Sequence, residues 1–519
     1  MTTPDPPGLQ SWVQSFSLPE PSFEDNTADA DRLLKELARQ TGLMAPHLDL
    51  ALIRTLPGLL REAEFRIEIS LFKGPQGAAV TDVRRPGREE AWLGLAVDLG
   101  TTRYVLCLVD LRRKEALARE SFPNPQAEVG PDILTRIHHA ESAQGLAQLQ
   151  ELILADMNEN IEALCREQKV RPEQIANVAL AGNTAMLHLF LGVPPRWMIR
   201  EPYIPGVNVP DLLRTGELGL RSGEQARLFC FPNSGSYFGG DLFAGILSSG
   251  MHRREEISIL VDVGTNAEVV LGNKDFLIAC AGAAGPALEG GVSEIGRQAG
   301  PGIIDQVRFD NERGRFEVHA IADLQPAGIC GSGVIDLASE LFQAGLLDIR
   351  GKFAPDAAPE LFKSIDGVPH LVLVPSEDSG TGEDLVIGQP EIDSLIRSKA
   401  AMYTILETIT SSVGIGFDDL STFYVAGTFG NFINPVSAIG IGMLPDIPLE
   451  RFEPLGNSSL KGAIKVLQEP TAIDDVKSVQ QRVTYLELNV NQEFMNKFSA
   501  AKFLPHTERS RFPSVVGGE

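Results

Sequence analysis

Two stretches of this chain read alike. Leu95-Ala96-Val97-Asp98-Leu99-Gly100-Thr101-Thr102-Arg103-Tyr104-Val105-Leu106 and Leu260-Val261-Asp262-Val263-Gly264-Thr265-Asn266-Ala267-Glu268-Val269-Val270-Leu271 each run from an apolar strand through Asp-x-Gly-Thr into a second apolar strand. Each predicts a hairpin with the same polar tip. Asp262 lies 164 residues beyond Asp98, a spacing of domain size, so the repeat predicts two similar α/β domains in tandem. Glycine lets such a tip turn tightly and come close to a ligand, while successive N–H groups and threonine hydroxyls donate to phosphate oxygens. That makes Gly100, Thr101 and Thr102, with Gly264, Thr265 and Asn266, the candidate phosphate-binding residues. Asp98 and Asp262 fit beside phosphate if Mg²⁺, keeping its waters, sits between them. A single tip is ordinary turn chemistry. Two matched tips predict that one polyphosphate is gripped from both domains.

Working outward, residues 1–22 are rich in proline and serine and predict a loose arm. A small α+β module is expected over 23–89. Asp25-Asn26-Thr27 offers an N-cap, Leu33, Leu34 and Leu37 have helical spacing, and Gly42 reads as the stop. Phe65, Ile67, Ile69 and Leu71 then alternate with other residues as in a strand with one buried face. The module ends in the linker Arg84-Arg85-Pro86-Gly87-Arg88. The first large domain is expected over 90–255, with an apolar helical stripe at Leu146, Leu149, Ile153, Met157, Ile161 and Leu164 and a buried strand Val178-Ala179-Leu180-Ala181 ending at Gly182-Asn183. The second is expected over 256–505, with a helix marked by Ile392, Leu395, Ile396, Tyr403, Leu406 and Ile409 before the strand Phe423-Tyr424-Val425-Ala426. Residues 506–519 read as a frayed tail.

Composition excludes several classes. With Lys+Arg 45 against Asp+Glu 69 the net charge is -24, and no local basic concentration offsets it, so neither nucleic acid nor an anionic membrane surface is an expected partner. No stretch reaches the roughly 18 apolar residues of a membrane span, and the first residues carry neither a basic start nor an apolar run. The chain is expected to stay in the cytoplasm. Cys107, Cys165, Cys230, Cys280 and Cys330 stand far apart, without the spacing of a zinc knuckle, an iron–sulfur loop or a redox dithiol. They read as small buried hydrophobes. His138, His139 and His188 have no ligand-like partners by spacing and are expected to be structural. Arg297 suits either phosphate charge or a surface ion pair.

The paired tips resemble the superfamily of acetate and sugar kinases, heat-shock chaperone ATPases and actin, which implies two tandem ribonuclease-H-like domains. In that superfamily a glycine-rich motif after a late strand holds adenosine. Gly427-Thr428-Phe429-Gly430, after Val425-Ala426, has the matching place, so these four are the implied adenosine contacts. Gly239-Gly240-Asp241 opens a helix similar to one in the chaperone ATPases that starts with an acidic residue. By that analogy Asp241 orients or deprotonates the attacking water, although a carboxylate there is also an ordinary helix-start residue. The small residues along 244–250 suit close helix packing. Gly285 and Glu289 lie in a loop similar to one in ATP-dependent activators of acyl-CoA dehydratases. Gly331, Ser332 and Gly333 precede another helix. Either loop could serve ribose or phosphate, and packing glycines explain both nearly as well.

The resemblance narrows further through Leu18-Pro19-Glu20-Pro21-Ser22-Phe23-Glu24-Asp25, Gly182-Asn183-Thr184-Ala185-Met186, Gly328-Ile329-Cys330-Gly331-Ser332-Gly333 and Phe429-Gly430-Asn431-Phe432-Ile433-Asn434-Pro435. Together with residues 262–268 these are similar to the reductive activators of corrinoid proteins, from about residue 18 to Pro505. The resemblance implies ATP and Mg²⁺ as cofactors, and ATP hydrolysis that drives Co(II) corrinoid in a methyltransferase system back to Co(I). Two departures stand out: the family's ferredoxin-like iron–sulfur domain is not found before residue 18, and Thr428 replaces a glycine. Electrons are therefore expected from a separate redox protein. A homodimer stays open, as do two other readings, a small-molecule kinase and a nucleotide-dependent interaction module with little turnover.

Overall fold

The computed structural model of the chain describes residues 9–87, 90–264, 266–283, 294–488 and 492–515. It comprises two compact units, residues 1–250 with 458–482 and residues 251–457 with 483–519.

The first unit opens with an antiparallel sheet in which β2 (Arg66–Lys73) lies between β1 (Val13–Ser17) and β3 (Ala78–Arg84), accompanied by α1 (Asp29–Thr41) and α2 (Leu50–Glu62). Residues 13–17, expected to lie in a loose arm, are thus an edge strand. Trp12 anchors them, its ring 5.0 Å from that of Phe72 and its Nε1 donating to Val466 O at 2.8 Å. The helix start also differs from expectation. α1 begins at Asp29 because the Asp25 carboxylate is engaged by the Thr27 hydroxyl at 2.7 Å and by the Arg32 guanidinium. Gly42 does end α1, at φ 73°. β2 is buried on both faces rather than one, since Glu68, Ser70 and Phe72 are covered as well as Ile67, Ile69 and Leu71. The second face meets Asn177, whose Nδ2 donates to Leu71 O at 3.0 Å.

Next comes a six-stranded sheet of β4 (Leu93–Leu99), β5 (Arg103–Asp110), β6 (Glu115–Pro123), β7 (Ile175–Gly182), β8 (Leu213–Arg214) and β9 (Arg227–Cys230), in the order β6-β5-β4-β7-β9-β8. β4, β7 and β9 are parallel, while β5 is antiparallel to β4 and β6. The connecting helices are α3 (Ile133–His139), α4 (Ala143–Glu167), α5 (Thr184–Leu191) and α6 (Gly240–Ser249). The predicted stripe of α4 is buried with Leu93, Leu95, Val97 and Leu99 in one core, each such side chain contributing about 1.5–3 kcal/mol. Alternation then puts Gly94, Ala96 and Asp98 on the opposite face of β4.

The second unit repeats the plan. Its sheet contains β10 (Ser258–Val263), β11 (Asn266–Gly272) and β12 (Leu277–Ala283). Two three-stranded sheets follow, β13 (Ile303–Asp310) with β14 (Arg315–Ala320) and β15 (Gly328–Ile329), and β16 (Phe362–Ile365) with β17 (Val368–Val374) and β18 (Leu385–Gly388). β19 (Thr422–Ala426), β20 (Phe452–Gly456) and β21 (Val483–Tyr485) complete the main sheet, ordered β20-β19-β10-β11-β12-β21. If the first five core strands of each unit are counted in chain order, both sheets read 3-2-1-4-5 with strand 2 antiparallel. The two α/β domains expected from the repeat are observed, in the ribonuclease-H-like class that the resemblance implies. Helices α7 (Gly331–Gln343), α8 (Gln389–Ser411), α9 (Gly427–Phe432) and α10 (Pro435–Gly440) belong to this unit.

Between β20 and β21 the chain supplies α11 (Ser458–Gln468) and α12 (Ala472–Arg482) to the first unit. α11 lies on the small-residue face of β4, where a β-carbon at Gly94 would come within 3.1 Å of the Leu467 side chain. α13 (Gln492–Ala501) and the residues after it return to the second unit. Residues 506–515 are docked rather than frayed. Lys399, fully buried in α8, donates Nζ to Phe503 O and to Pro505 O. Tyr403 packs against His506 and Phe512, and Arg511 pairs with Glu407 at 2.7 Å.

In the first unit α6 and α11 meet in close backbone contact. A β-carbon at Gly462 would stand 2.4 Å from Ala244 O and 2.6 Å from Ala244 Cα, so backbone would have to move. Gly462→Ala is expected to cost about 1–3 kcal/mol, read as a lower urea midpoint. Gly58→Ala in α2, where a β-carbon meets nothing within 4 Å, is the control and should raise stability by up to about 1 kcal/mol.

Candidate functional site

In the first unit, four chain segments converge at the carboxyl ends of β4 and β7, the place where open α/β sheets bind ligands. Asp98 is the penultimate residue of β4, and its Oδ1 accepts from Ser459 Oγ at 2.8 Å. Ser459 stands in the first turn of α11, where the helix dipole favours a carboxylate. Gly100 follows, and a β-carbon there would sit 2.4 Å from Arg103 O, so the tight tip requires glycine. Asn124 braces the tip, its N–H donating to Thr102 O at 2.8 Å and its Nδ2 to Gly100 O at 2.9 Å. Thr101 Oγ1 accepts from Asn183 Nδ2 at 3.2 Å. Asn183 is the N-cap of α5, its Oδ1 accepting from Met186 N at 2.9 Å.

The fourth segment brings Asp241. It lies in the first turn of α6, its Oδ1 accepting from Leu242 N at 2.9 Å, while Gly239 is the N-cap. A β-carbon on Gly239 would stand 2.6 Å from both Asn183 Cα and Asp241 Oδ1. Gly240 is equally confined, 3.0 Å from Phe231 O and 3.2 Å from Gly182 O by the same measure. These glycines let the start of α6 press against the turn that carries Asn183. Asp98, Thr101 and Asp241 are therefore brought to one end of one sheet.

In the second unit, Asp262 is the penultimate residue of β10, with Gly264 after it and Asn266 opening β11. Asp262 is register-paired with Glu268 on β11 and with Ala426 on β19. Register partners on adjacent strands project from the same face of a sheet, so the two carboxylates share one face. Gly427 takes φ 79°, and a β-carbon there would stand 2.8 Å from Asp262 Oδ1. It must be glycine on both grounds. At Gly430 a β-carbon would stand 2.5 Å from Val425 O, so α9 leaves β19 in close contact. Gly331, Ser332 and Gly333 are all buried at the start of α7, Ser332 Oγ lies 3.1 Å from Cys330 Sγ, and a β-carbon on Gly333 would meet Ile304 O at 2.7 Å. Glycine at 333 is a packing requirement. Thr265, Gly285 and Glu289 lie outside the described residues, as do the side chains of Asn266, Thr428 and Phe429.

Among the described residues, no group of three or more His, Cys, Asp and Glu side chains could enclose a metal ion. A magnesium ion at Asp98 or Asp262 would take most of its oxygen ligands from phosphate and water, as its hydration chemistry favours. His188 is buried and structural. Its Nδ1 lies 2.7 Å from Thr184 O, its Nε2 accepts from Gly206 N at 2.9 Å, and burial pushes its pKa down. Among the described residues, Arg297 donates to Glu294 O and Gly296 O, at 3.0 and 2.7 Å. Sequence reasoning missed Ser459, Asn124 and the cross-strand place of Glu268. Asn183 had a readable signal, an N-cap residue directly after a buried strand.

The chain is similar along most of its length to known proteins. Residues 12–91 match the linker region of RACo, residues 93–254 its middle region, and residues 256–516 the C-terminal domain of RACo, the ASKHA domain. The corrinoid activation enzyme RamQ of Eubacterium limosum is 30% identical over 421 residues, covering 79% of this chain and 70% of its own. The [Co(II) methylated amine-specific corrinoid protein] reductase of Methanosarcina barkeri is 24% identical over 441 residues, covering 78% of this chain and 75% of its own. A solved reductive activator for corrinoid,iron-sulfur protein superposes with a TM-score of 0.86 at 35% identity, over 98% of this chain and 81% of that one.

Two outcomes follow from the local geometry. Asn183→Ala removes both the cap and the Thr101 contact and should cost about 1 kcal/mol in denaturant titration, whereas Asn183→Asp keeps a cap acceptor and should stay near wild type. All five cysteines are free and buried, and burial pushes Cys107 and Cys165 up to about 11 and Cys230 and Cys280 up to about 12. A thiol-specific chromogenic disulfide at pH 8 should leave the native protein unmodified and react fully only in denaturant.

Proposed function

This chain belongs to the family of reductive activators of corrinoid proteins, and from that premise we propose that it binds Mg-ATP and couples ATP hydrolysis to the return of Co(II) corrinoid in a partner protein to Co(I). The convergence of Asp98, Thr101, Asn183 and Asp241 at the strand ends of the first unit carries the reading. Gly100, Thr101 and Thr102, with Gly264, Thr265 and Asn266, are assigned the phosphate contacts. Asp98 and Asp262 are assigned to magnesium through its waters, where the ion supplies charge neutralisation. The close approach required between Gly427 and the Asp262 carboxylate supports that assignment. Gly427, Thr428, Phe429 and Gly430 are assigned to adenosine.

Asp241 is assigned to the attacking water. In hydrolysis, water oxygen bonds to the γ-phosphorus as the bond to the bridging oxygen breaks, ADP leaves, and the water proton passes toward the carboxylate. The five cysteines of residues 1–519 are dispersed and buried, so the electron for Co(II) is assigned to a redox group outside these residues. ATP drives the partner's change only as far as its affinity differs between conformations of the activator.

The test is phosphate release measured with and without a cobalamin-loaded corrinoid protein, alongside the Co(II) to Co(I) spectral change in the presence of an external reductant. Asp241→Asn should lower phosphate release by about 10²–10⁴-fold with ATP binding retained. Asp262→Ala should weaken Mg-ATP by about tenfold or more, equivalent to about 1.4 kcal/mol. Unchanged affinity and hydrolysis in Asp262→Ala would refute the assignment. Label transferred from ATP to a small hydroxyl or carboxyl compound would replace the reading with a kinase.

A further inference from the structure

The first unit buries a guanidinium that no carboxylate pairs. Arg136, in α3, is 0% exposed. Its Nε donates to Gly130 O at 2.8 Å, and its Nη1 lies 3.4 Å from Gln126 Oε1 and 3.3 Å from Met186 Sδ. These acceptors are all neutral. Nη2 makes no hydrogen bond among the described residues. The carboxylate that acts on Arg136 through space, Asp132, caps α3 instead, accepting from Thr135 N at 2.9 Å and from Thr135 Oγ1 at 2.8 Å. Among the described residues the other buried arginines, Arg32, Arg84 and Arg227, each engage a carboxylate, those of Asp25, Asp82 and Asp49. Arg136 is the exception. Burial pushes its pKa down to about 10, which leaves it a cation at neutral pH. The side chain is also held in place, since a β-carbon on Gly130 would stand 2.9 Å from Arg136 Cγ.

Its neighbours lead to the tip of the first hairpin by two routes. Gln126 N donates to Asn124 Oδ1 at 3.0 Å, and Asn124 in turn braces Gly100 O and Thr102 O. Met186 N donates to Asn183 Oδ1 at 2.9 Å, and Asn183 Nδ2 reaches Thr101 Oγ1. The two side chains that Nη1 approaches therefore belong to the two turns that hold Gly100, Thr101 and Thr102.

A buried charge without a partner destabilises a folded chain. Its field is weakly screened by solvent and salt, so an anion arriving nearby relieves it. We infer that Arg136 is a positioning residue for the polyphosphate, an uncompensated cation behind the Gly100-Thr101-Thr102 tip whose charge is balanced when phosphate binds there. The role runs through the Asn124 and Asn183 turns and through the field, not through contact with the ligand. The inference rests on the Mg-ATP reading and deepens it. It also means that the ligand-free protein carries a cost that nucleotide removes.

The experiment uses the full chain with Arg136→Met, which keeps most of the volume and removes the charge, and Arg136→Lys, which keeps the charge. Calorimetric titration with ATP, ADP and adenosine in the presence of Mg²⁺ reads affinity, and urea titration reads the stability of the ligand-free protein. Arg136→Met should weaken ATP by about tenfold or more and ADP by less, with adenosine unchanged. Its ligand-free urea midpoint should equal or exceed that of wild type, because an apolar side chain replaces a buried charge without loss. Arg136→Lys should hold ATP affinity within about threefold of wild type. Wild-type ATP affinity in Arg136→Met overturns the inference, as do equal losses for ATP and adenosine. So does a ligand-free Arg136→Met protein that is less stable or fails to fold, the mark of a purely structural arginine, or a lysine variant as weak as the methionine one. These outcomes leave the Mg-ATP reading standing, whereas a wild type that binds no nucleotide removes that reading and the inference together.

Discussion

The hydrogen bond from Ser459 to Asp98 depends on a contact three residues further along α11, about 4.5 Å of helix rise away: the backbone approach of α6 and α11 at Ala244 and Gly462. The helix α11 covers the face of β4 that bears Gly94, Ala96 and Asp98, and α6, far away in sequence, packs against α11. Only small residues on β4 and α11 let them come close enough. With that approach in place, the start of α11 meets Asp98 and the start of α6 meets the Asn183 turn. A carboxylate at a strand end, left by itself, would be costly among apolar neighbours. Here it has a hydroxyl donor and the positive end of a helix.

Much of this was legible in the sequence. The doubled Asp-x-Gly-Thr hairpin revealed two like sheets, because strand alternation and turn residues are local properties. The stripe of α4 and the strands at 175–182 and 422–426 follow from the same periodicities. What stayed hidden is long-range. Ser459 is 361 residues from Asp98, and nothing in Asn457-Ser458-Ser459 distinguishes it from any other helix start. Lys399 sits inside an apolar helical stripe, and the carbonyls it serves lie more than a hundred residues later. The docked tail could not be read without them. β2 shows the same limit, since its polar residues are buried against a partner strand that no local pattern names.

The two acidic strand ends are not equivalent. Asp98 is met by a hydroxyl at a helix start, whereas Asp262 faces a second carboxylate across the sheet and a glycine that must stay without a side chain. The first carboxylate sits at a helix start, and the second sits beside a strand neighbour of like charge. Twin hairpins thus carry unlike surroundings, and substitutions at the two aspartates are not interchangeable.

The contribution of residues 458–482 to the first unit has a consequence for how the molecule is made. Residues 1–250 emerge from the ribosome more than two hundred residues before the helices that cover the second face of β4, a delay of about 10–50 s at ordinary translation speeds. During that interval the nascent sheet has one apolar side uncovered. Its glycine-lined surface stays open until the late helices arrive, so the first unit is completed only after β10 to β20 of the second have been made.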